Sequence, residues 1–267
     1  MHDGFTLYVR YISASFRSQM QYRASFIMTT LAHFLMTGLE FLAIWVLFAR
    51  FEHLGSWRLE EICLFYGLIN MAFALTDATS RGFDTFHHMV KTGEFDRLLL
   101  RPRSTVLQLA GQEFTLRRIG RFSQGLLVFL YATQALSIEW TAAKMALVAL
   151  TILGGACLFY GLIVLQATLS FWTTESLEIV NTVTYGGVQT AQYPLTIYRT
   201  WFRQVFTYII PLASISYYPS LALLERVDPL GSDPLFQWLS PTIGIAFLLV
   251  CLQIWHLGVR HYRSTGS

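Results

Sequence analysis

Charge is what this chain of 267 residues has least of: Asp, Glu, Lys and Arg together make up 13% of it, against about a quarter in soluble domains. That scarcity excludes a water-exposed globule. Lysine is nearly absent, with only Lys91 and Lys144. Neither closes a GxxxxGK[ST] phosphate loop, so the chain does not bind and hydrolyse ATP by that route. No H-E-x-x-H helix and no G-x-S-x-G elbow occurs, and no catalytic residue is assigned. The cysteines, Cys63, Cys157 and Cys251, are odd in number and lie far apart in apolar runs. They offer neither a disulfide framework nor zinc spacing and read as small buried hydrophobes. His87 and His88 are adjacent, so on a helix they point about 100° apart and make a poor metal clamp; no metal is expected. No basic run alternates with aromatics, which argues against a nucleic-acid partner.

What is present is apolar length. Hydrophobic residues make up 54% of the chain, aromatics 15%, and the mean hydropathy is +0.46. A helix needs about 20 mostly apolar residues to cross a bilayer. The pattern predicts spans at 24–48, 62–80, 122–138, 145–172 and 235–259, with the third extended toward the cytoplasm by residues from Thr105 onward. Two segments compete for a further span. Residues 177–192 are polar, and 205–224 are more apolar but interrupted by Pro211 and Pro219. A polar span is allowed where it faces a pathway. A proline-broken segment is tolerated where protein buries it or where it lines a cavity. Ahead of the first span, Phe5, Tyr8, Ile12, Phe16 and Met20 recur at helical spacing with Arg10 and Arg17 off the stripe. Residues 1–23 therefore read as an amphipathic helix lying on the inner leaflet. They do not read as a cleaved signal peptide, because the first apolar run is too long and lacks a small-residue cleavage site.

Basic residues set the orientation. Arg10, Arg17 and Arg23, the cluster from Arg81 through Arg121, and Arg260 and Arg263 hold most of the 19 lysines and arginines. Cytoplasmic loops keep the positive charge, so both termini are expected inside. Within the spans Glu40 is the most informative ionisable group, because a carboxylate near mid-bilayer is a functional candidate by default. His33 lies two turns earlier on the same face. Asp77 reads as an interfacial residue. Asn181, Tyr185 and Gln189 recur every four residues and share a helix face.

Between the second and third spans lies KTGEFDRLLLRPRS, residues 91–104, a charged loop among membrane-length helices. Its portion GEFDRLLLRP resembles the glycine–acidic–leucine–arginine–proline signature of a bacterial branch of type-2 ATP-binding-cassette (ABC) permeases. FW at Phe171–Trp172, YPLTIY at Tyr193–Tyr198, IIP at Ile209–Pro211, YYP at Tyr217–Pro219 and the terminal RHYRSTGS are similar to that branch in order and spacing. Asp96 matches the acidic position, whereas Glu94 and Phe95 stand where several residue types are accepted.

The resemblance implies an all-α polytopic membrane protein of six spans. It would have an N-terminal interfacial helix, a cytoplasmic coupling helix at 91–104, and re-entrant extracellular half-helices at 193–224. That choice makes 177–192 the fifth span and the whole chain one permease domain. It implies separate ABC ATPase subunits that carry ATP and magnesium, with no cofactor on this chain. It also implies a second permease, identical or a sister chain, and a place in the bacterial cytoplasmic membrane. The expected task is export of a drug, lipid or natural product. Coupling residues would be Gly93, Glu94, Phe95, Asp96, Arg97, Leu98, Leu99 and Arg101. Gly93 starts or bends the segment and Pro102 stops it. Phe95, Leu98 and Leu99 are the expected affinity anchors, because exposed ion pairs contribute little. Asn181, Tyr185, Gln189 and Glu40 would line the pathway. The rivals are a polytopic enzyme acting on lipids and an ATP-independent channel or scaffold.

Overall fold

The computed structural model describes residues 2–173 and 177–262, and among them there are helices and no strands. The long elements are α1 (His2–Gln21), α2 (Arg23–Phe51) and α3 (Leu59–Thr79). Four short helices follow: α4 (Arg81–Asp84), α5 (Phe86–Lys91), α6 (Glu94–Leu99) and α7 (Thr105–Ala110). Then come α8 (Ile119–Ala135), α9 (Ala142–Leu169), α10 (Leu177–Ala191), α11 (Thr200–Gln204), α12 (Tyr217–Leu224), α13 (Pro234–Leu239) and α14 (Thr242–His261). Among the described residues α2, α3, α9 and α14 are each long and apolar enough to cross a membrane.

α3 is the axis of the bundle. Its N-terminus is closed when the Arg58 backbone N–H donates to Glu61 Oε2 at 2.8 Å, which satisfies one of the donors a helix start leaves open. From Ile62 to Ala74 every residue is buried, with α8 and α9 packed on either side. α2 lies outside α8 and α14 outside α9. Side-chain bonds to backbone carbonyls cross between the long helices, among them Tyr66 Oη to Thr37 O at 2.7 Å and Thr76 Oγ1 to Ala156 O at 2.9 Å. The α9–α14 crossing depends on Gly154 and Gly244, since a Cβ on either would collide with the backbone of the other helix. In lipid, helices associate by such close backbone approach.

Two differences from the sequence expectation have physical causes. The stretch 235–259 is not one helix: it divides into α13 and α14 at Ser240–Pro241, where proline removes a backbone donor. The residues from Thr105 do not extend α8. They form the separate α7, then turn, and the Thr115 N–H is bound to Ala78 O at 2.8 Å, which ties the turn to the end of α3. Segment 200–224 is broken where the sequence expects proline to interrupt it: Thr200–Ile209 and Leu212–Leu224 meet at 74°. Ile210 is extended (φ −118°, ψ 93°) ahead of Pro211, as the residue before a proline prefers. Pro219 sits in the first turn of α12, where it is tolerated.

Candidate functional site

At the end of the bundle that carries the charged loop, α4 to α7 fold back beneath the long helices. Gly93 precedes α6 in the left-handed region, φ 70°, a conformation glycine reaches without the Cβ penalty. α6 has fewer than two turns, and its faces separate sharply. Phe95 is fully buried, its ring edge-on to Phe86 at 4.9 Å and to Tyr262 at 5.0 Å and tilted against Phe171 at 5.7 Å. Trp255 joins this cluster at 4.9 Å from Phe86 and 5.1 Å from Phe83, and its Nε1 donates to Thr105 Oγ1 at 3.2 Å. The rings thus connect α6 to the end of α9 and to α14. Gln108 Nε2 donates to Leu98 O at 3.2 Å and Arg103 O at 3.1 Å, which holds the turn after α6. Asp96 lies against Tyr262, and burial first, then this carboxylate, pushes the phenol above its ordinary value. Burial, then the neighbouring His88, holds the His87 imidazole below its ordinary value.

Phe95 therefore points into the bundle and cannot be an anchor on a partner, contrary to the sequence expectation. An aromatic surrounded by four other rings is worth more inside than at a wet surface. Leu98 is half-buried, Leu99 exposed, and Leu100, which sequence reasoning passed over, is 86% exposed. Glu94, Arg97 and Arg101 point outward and, with Tyr11, Gln108 and Gln112, line a cleft of about 370 Å³ between α1 and the loop. No sequence signal separated Leu100 from Leu98 and Leu99, because three consecutive leucines carry no periodicity.

A second constellation lies among the long helices. The Arg121 Nε donates to Oδ1 of fully buried Asn70 at 3.0 Å. Its Nη2 is 3.7 Å from Glu40 Oε2, and its guanidinium stands 4.9 Å over the Phe73 ring. Phe73 meets Tyr185 edge-on at 5.6 Å. One turn away, Arg118 Nε is 2.9 Å from Asp77 Oδ2, and Arg118 Nη1 is 3.4 Å from the His33 ring nitrogens. Asp77 is thus a half-buried ion-pair partner rather than a bare interfacial residue. Glu40 and Tyr185 are brought together through Arg121 and Phe73. Tyr185 and Gln189 share an exposed face of α10, and the side chain of Asn181 lies outside the described residues. Glu40 and His33 are legible as one face from their spacing, but the arginine partners of Glu40, His33 and Asp77 come from α8 and its preceding turn, which no local pattern reveals.

At the opposite end, Arg226 Nη1 donates to Glu61 Oε1 at 2.7 Å and Nη2 to Ser56 Oγ at 2.9 Å, with the guanidinium 4.1 Å over Trp57. Trp57 Nε1 donates to Thr196 Oγ1 at 2.9 Å, and Lys144 Nζ is 2.7 Å from Glu225 Oε1. Asp228 accepts from Tyr217 Oη at 2.6 Å and from the Leu230 and Ser232 N–H groups at 2.9 and 3.1 Å. Burial opposes its ionisation, but hydrogen bonds from Ser232, Tyr217 and Leu230 outweigh that and hold the carboxyl below its ordinary range.

Among the described residues no group of three or more His, Cys, Asp and Glu side chains comes together as a metal site. A family model described as ABC-2 family transporter protein matches residues 34–266. No curated protein and no solved structure matches the chain.

Proposed function

From the premise that the chain belongs to the ABC-2 family of transporter proteins, and is thus a permease subunit of an ABC transporter that works with an ABC ATPase, we propose how it couples and what it moves. ATP binding closes the partner ATPases, and residues 91–104 receive that movement. The ATPase docks against Leu99, Leu100 and the cleft lined by Glu94, Arg97 and Arg101. The reading is carried by one observation: α6 is exposed and charged outward but rooted inward through Phe95 in rings from α9 and α14. A segment packed at interior density transmits displacement rather than absorbing it.

The transported molecule is hydrophobic or amphipathic and leaves the cell. Its pathway runs between two permeases, identical or sister chains, along the face that bears Glu40, Tyr185, Gln189 and Asn181. An exposed polar helix face at membrane depth is stable where it meets protein or a water-filled cavity, which supports a pathway beside α10. The bend of 74° between 200–209 and 212–224 supports a re-entrant pair above it. Residues 177–192 then form the fifth span, and the chain sits in a bacterial cytoplasmic membrane with both termini inside.

Affinity capture of the tagged chain from gently solubilised native membranes, with mass spectrometry of its partners, tests this reading. Recovery of an ABC ATPase in equal amount is expected, together with a second permease copy or a sister chain. Recovery of the chain alone would move the assignment to a channel or a membrane enzyme.

A further inference from the structure

α1 and α2 meet at an elbow at Tyr22, where a pocket of about 210 Å³ is lined by Ser18, Gln19, Tyr22, Ser25, Phe26 and Arg117. Gln19 builds this site. Its amide nitrogen donates to Phe114 O and to Ser15 O (3.3 Å), and its Oε1 accepts from the Leu116 N–H at 3.1 Å. The turn that carries Arg117 is thereby bound to α1. Arg117 contrasts with its neighbours: Arg118 pairs with Asp77, Arg121 with Glu40 and Arg81 with Asp84. Half-buried Arg117 has no acidic partner among the described residues, and exposed Arg17 and Arg23 flank the elbow in sequence. Three hydroxyls, from Ser18, Tyr22 and Ser25, stand on the same lining.

The pocket continues into apolar surface. Past Phe26, the side chains of Ile27, Met28 and Leu31 are all exposed and share one face of α2. We propose that this elbow binds the phosphate of an anionic phospholipid from the inner leaflet, with Arg117 on the phosphate, the hydroxyls on its ester oxygens, and the acyl chains along Ile27, Met28 and Leu31. A guanidinium holds phosphate oxygens in a fork, and basic pockets at the cytoplasmic level of a membrane protein suit anionic headgroups. A free phosphate shares the headgroup chemistry but has no use for the apolar stripe. The proposal rests on the reading of α2 as a span with its N-terminal end inside.

Because Gln19 ties the elbow to residues 114–116, between the short helices and α8, an occupied elbow stiffens the turn that leads from α7 into the bundle. The test is native mass spectrometry of the transporter purified with its co-purifying subunits, after exchange into nanodiscs of phosphatidylcholine with phosphatidylglycerol. The wild type is expected to retain phosphatidylglycerol through delipidation. R117Q should retain about fivefold less, the factor one basic residue contributes near an anionic surface. R117K should restore most of the retention, and R50Q, at the far end of α2, should match the wild type. A thermal midpoint for each variant separates loss of lipid from loss of fold, and S18A/S25A provides a second route to the same readout. Equal retention by wild type and R117Q, or no preference over phosphatidylcholine, overturns the proposal. Displacement of the lipid by millimolar inorganic phosphate would show a free-anion site instead and overturn the lipid assignment. Absence of an ATPase in the purified material would sink the permease reading, yet lipid retention by the chain itself would still be measured.

Discussion

At the end of the bundle that bears residues 91–104, the connecting segment is rooted by aromatic rings, whereas at the opposite end the loop after α12 is joined to α3 and α9 by ion pairs beside the rings of Trp57, Phe65 and Tyr217. Phe95, Phe86, Phe171, Trp255 and Tyr262 touch one another inside the protein. Arg226 pairs with Glu61 of α3, their side chains 26% and 14% exposed, and Glu225, 74% exposed, pairs with Lys144 of α9. Packed rings do not come apart without leaving a cavity, and their strength is indifferent to salt. Exposed ion pairs contribute about 0–1 kcal/mol, are screened by salt, and re-form with other partners. Under the proposed coupling, the difference suits a permease that receives force at one end and opens and closes at the other.

The strongest way to break this comparison is Phe95→Ala. Loss of a fully buried aromatic is expected to destabilise the protein by about 3–5 kcal/mol, read as a fall in the thermal midpoint of the purified complex. Phe95→Leu should recover most of it. Leu100→Asp should leave that midpoint unchanged yet weaken capture of the ATPase by tenfold or more, since truncating an interface anchor costs about 2 kcal/mol. Equal stability losses for the two variants would erase the distinction between root and docking face.

Arg121→Leu comes next. It strips the partner from buried Asn70, a penalty of about 1–3 kcal/mol, and frees Glu40. Transport should fall further than stability if this face lines the pathway, and flux measured beside the thermal midpoint checks it. At the opposite end Arg226→Ala removes a ring contact and an ion pair with Glu61, together about 1 kcal/mol. High salt should reproduce only a small part of that loss in the wild type, because the Arg226 and Glu61 side chains are 26% and 14% exposed, and none of the Phe95→Ala loss.

The smallest expected effect is a pH dependence. The folded Asp228 carboxyl is held below its ordinary value. Its stabilisation is therefore full above the unfolded value, about 4, and is lost as pH falls through the lower folded value. Asp228→Asn should lower stability at neutral pH, where the ionised carboxylate contributes fully, and differ little from the wild type well below about pH 4, so that the acid limb of its stability profile is flatter.

Much of this arrangement was legible in the sequence because hydrocarbon thickness imposes a length that composition reveals. Helices α2, α3, α8 and α9 lie where the sequence places four of its apolar runs, although α8, with 17 residues, is not among the described helices long and apolar enough to cross a membrane. The break at Ser240–Pro241 was missed because averaging apolarity over a long window hides one proline between two apolar runs. His33 and Glu40 could be placed on one face by their spacing of seven. Their partners could not, since pairing with Arg118 and Arg121 depends on how α2 lies against α8. The inward turn of Phe95 was also hidden. A helix of six residues is too short for periodicity to show which side is buried, so the sequence reads Phe95 as an interface anchor on the ground that apolar groups outweigh exposed ion pairs. Leu100 was overlooked for the same reason.

The most direct test places a photo-crosslinking amino acid at position 100 or at position 95 and irradiates the transporter in native membranes. The account predicts that position 100 captures the ABC ATPase, while position 95 yields only links within the permease. Capture of the ATPase from position 95, or none from position 100, would contradict it.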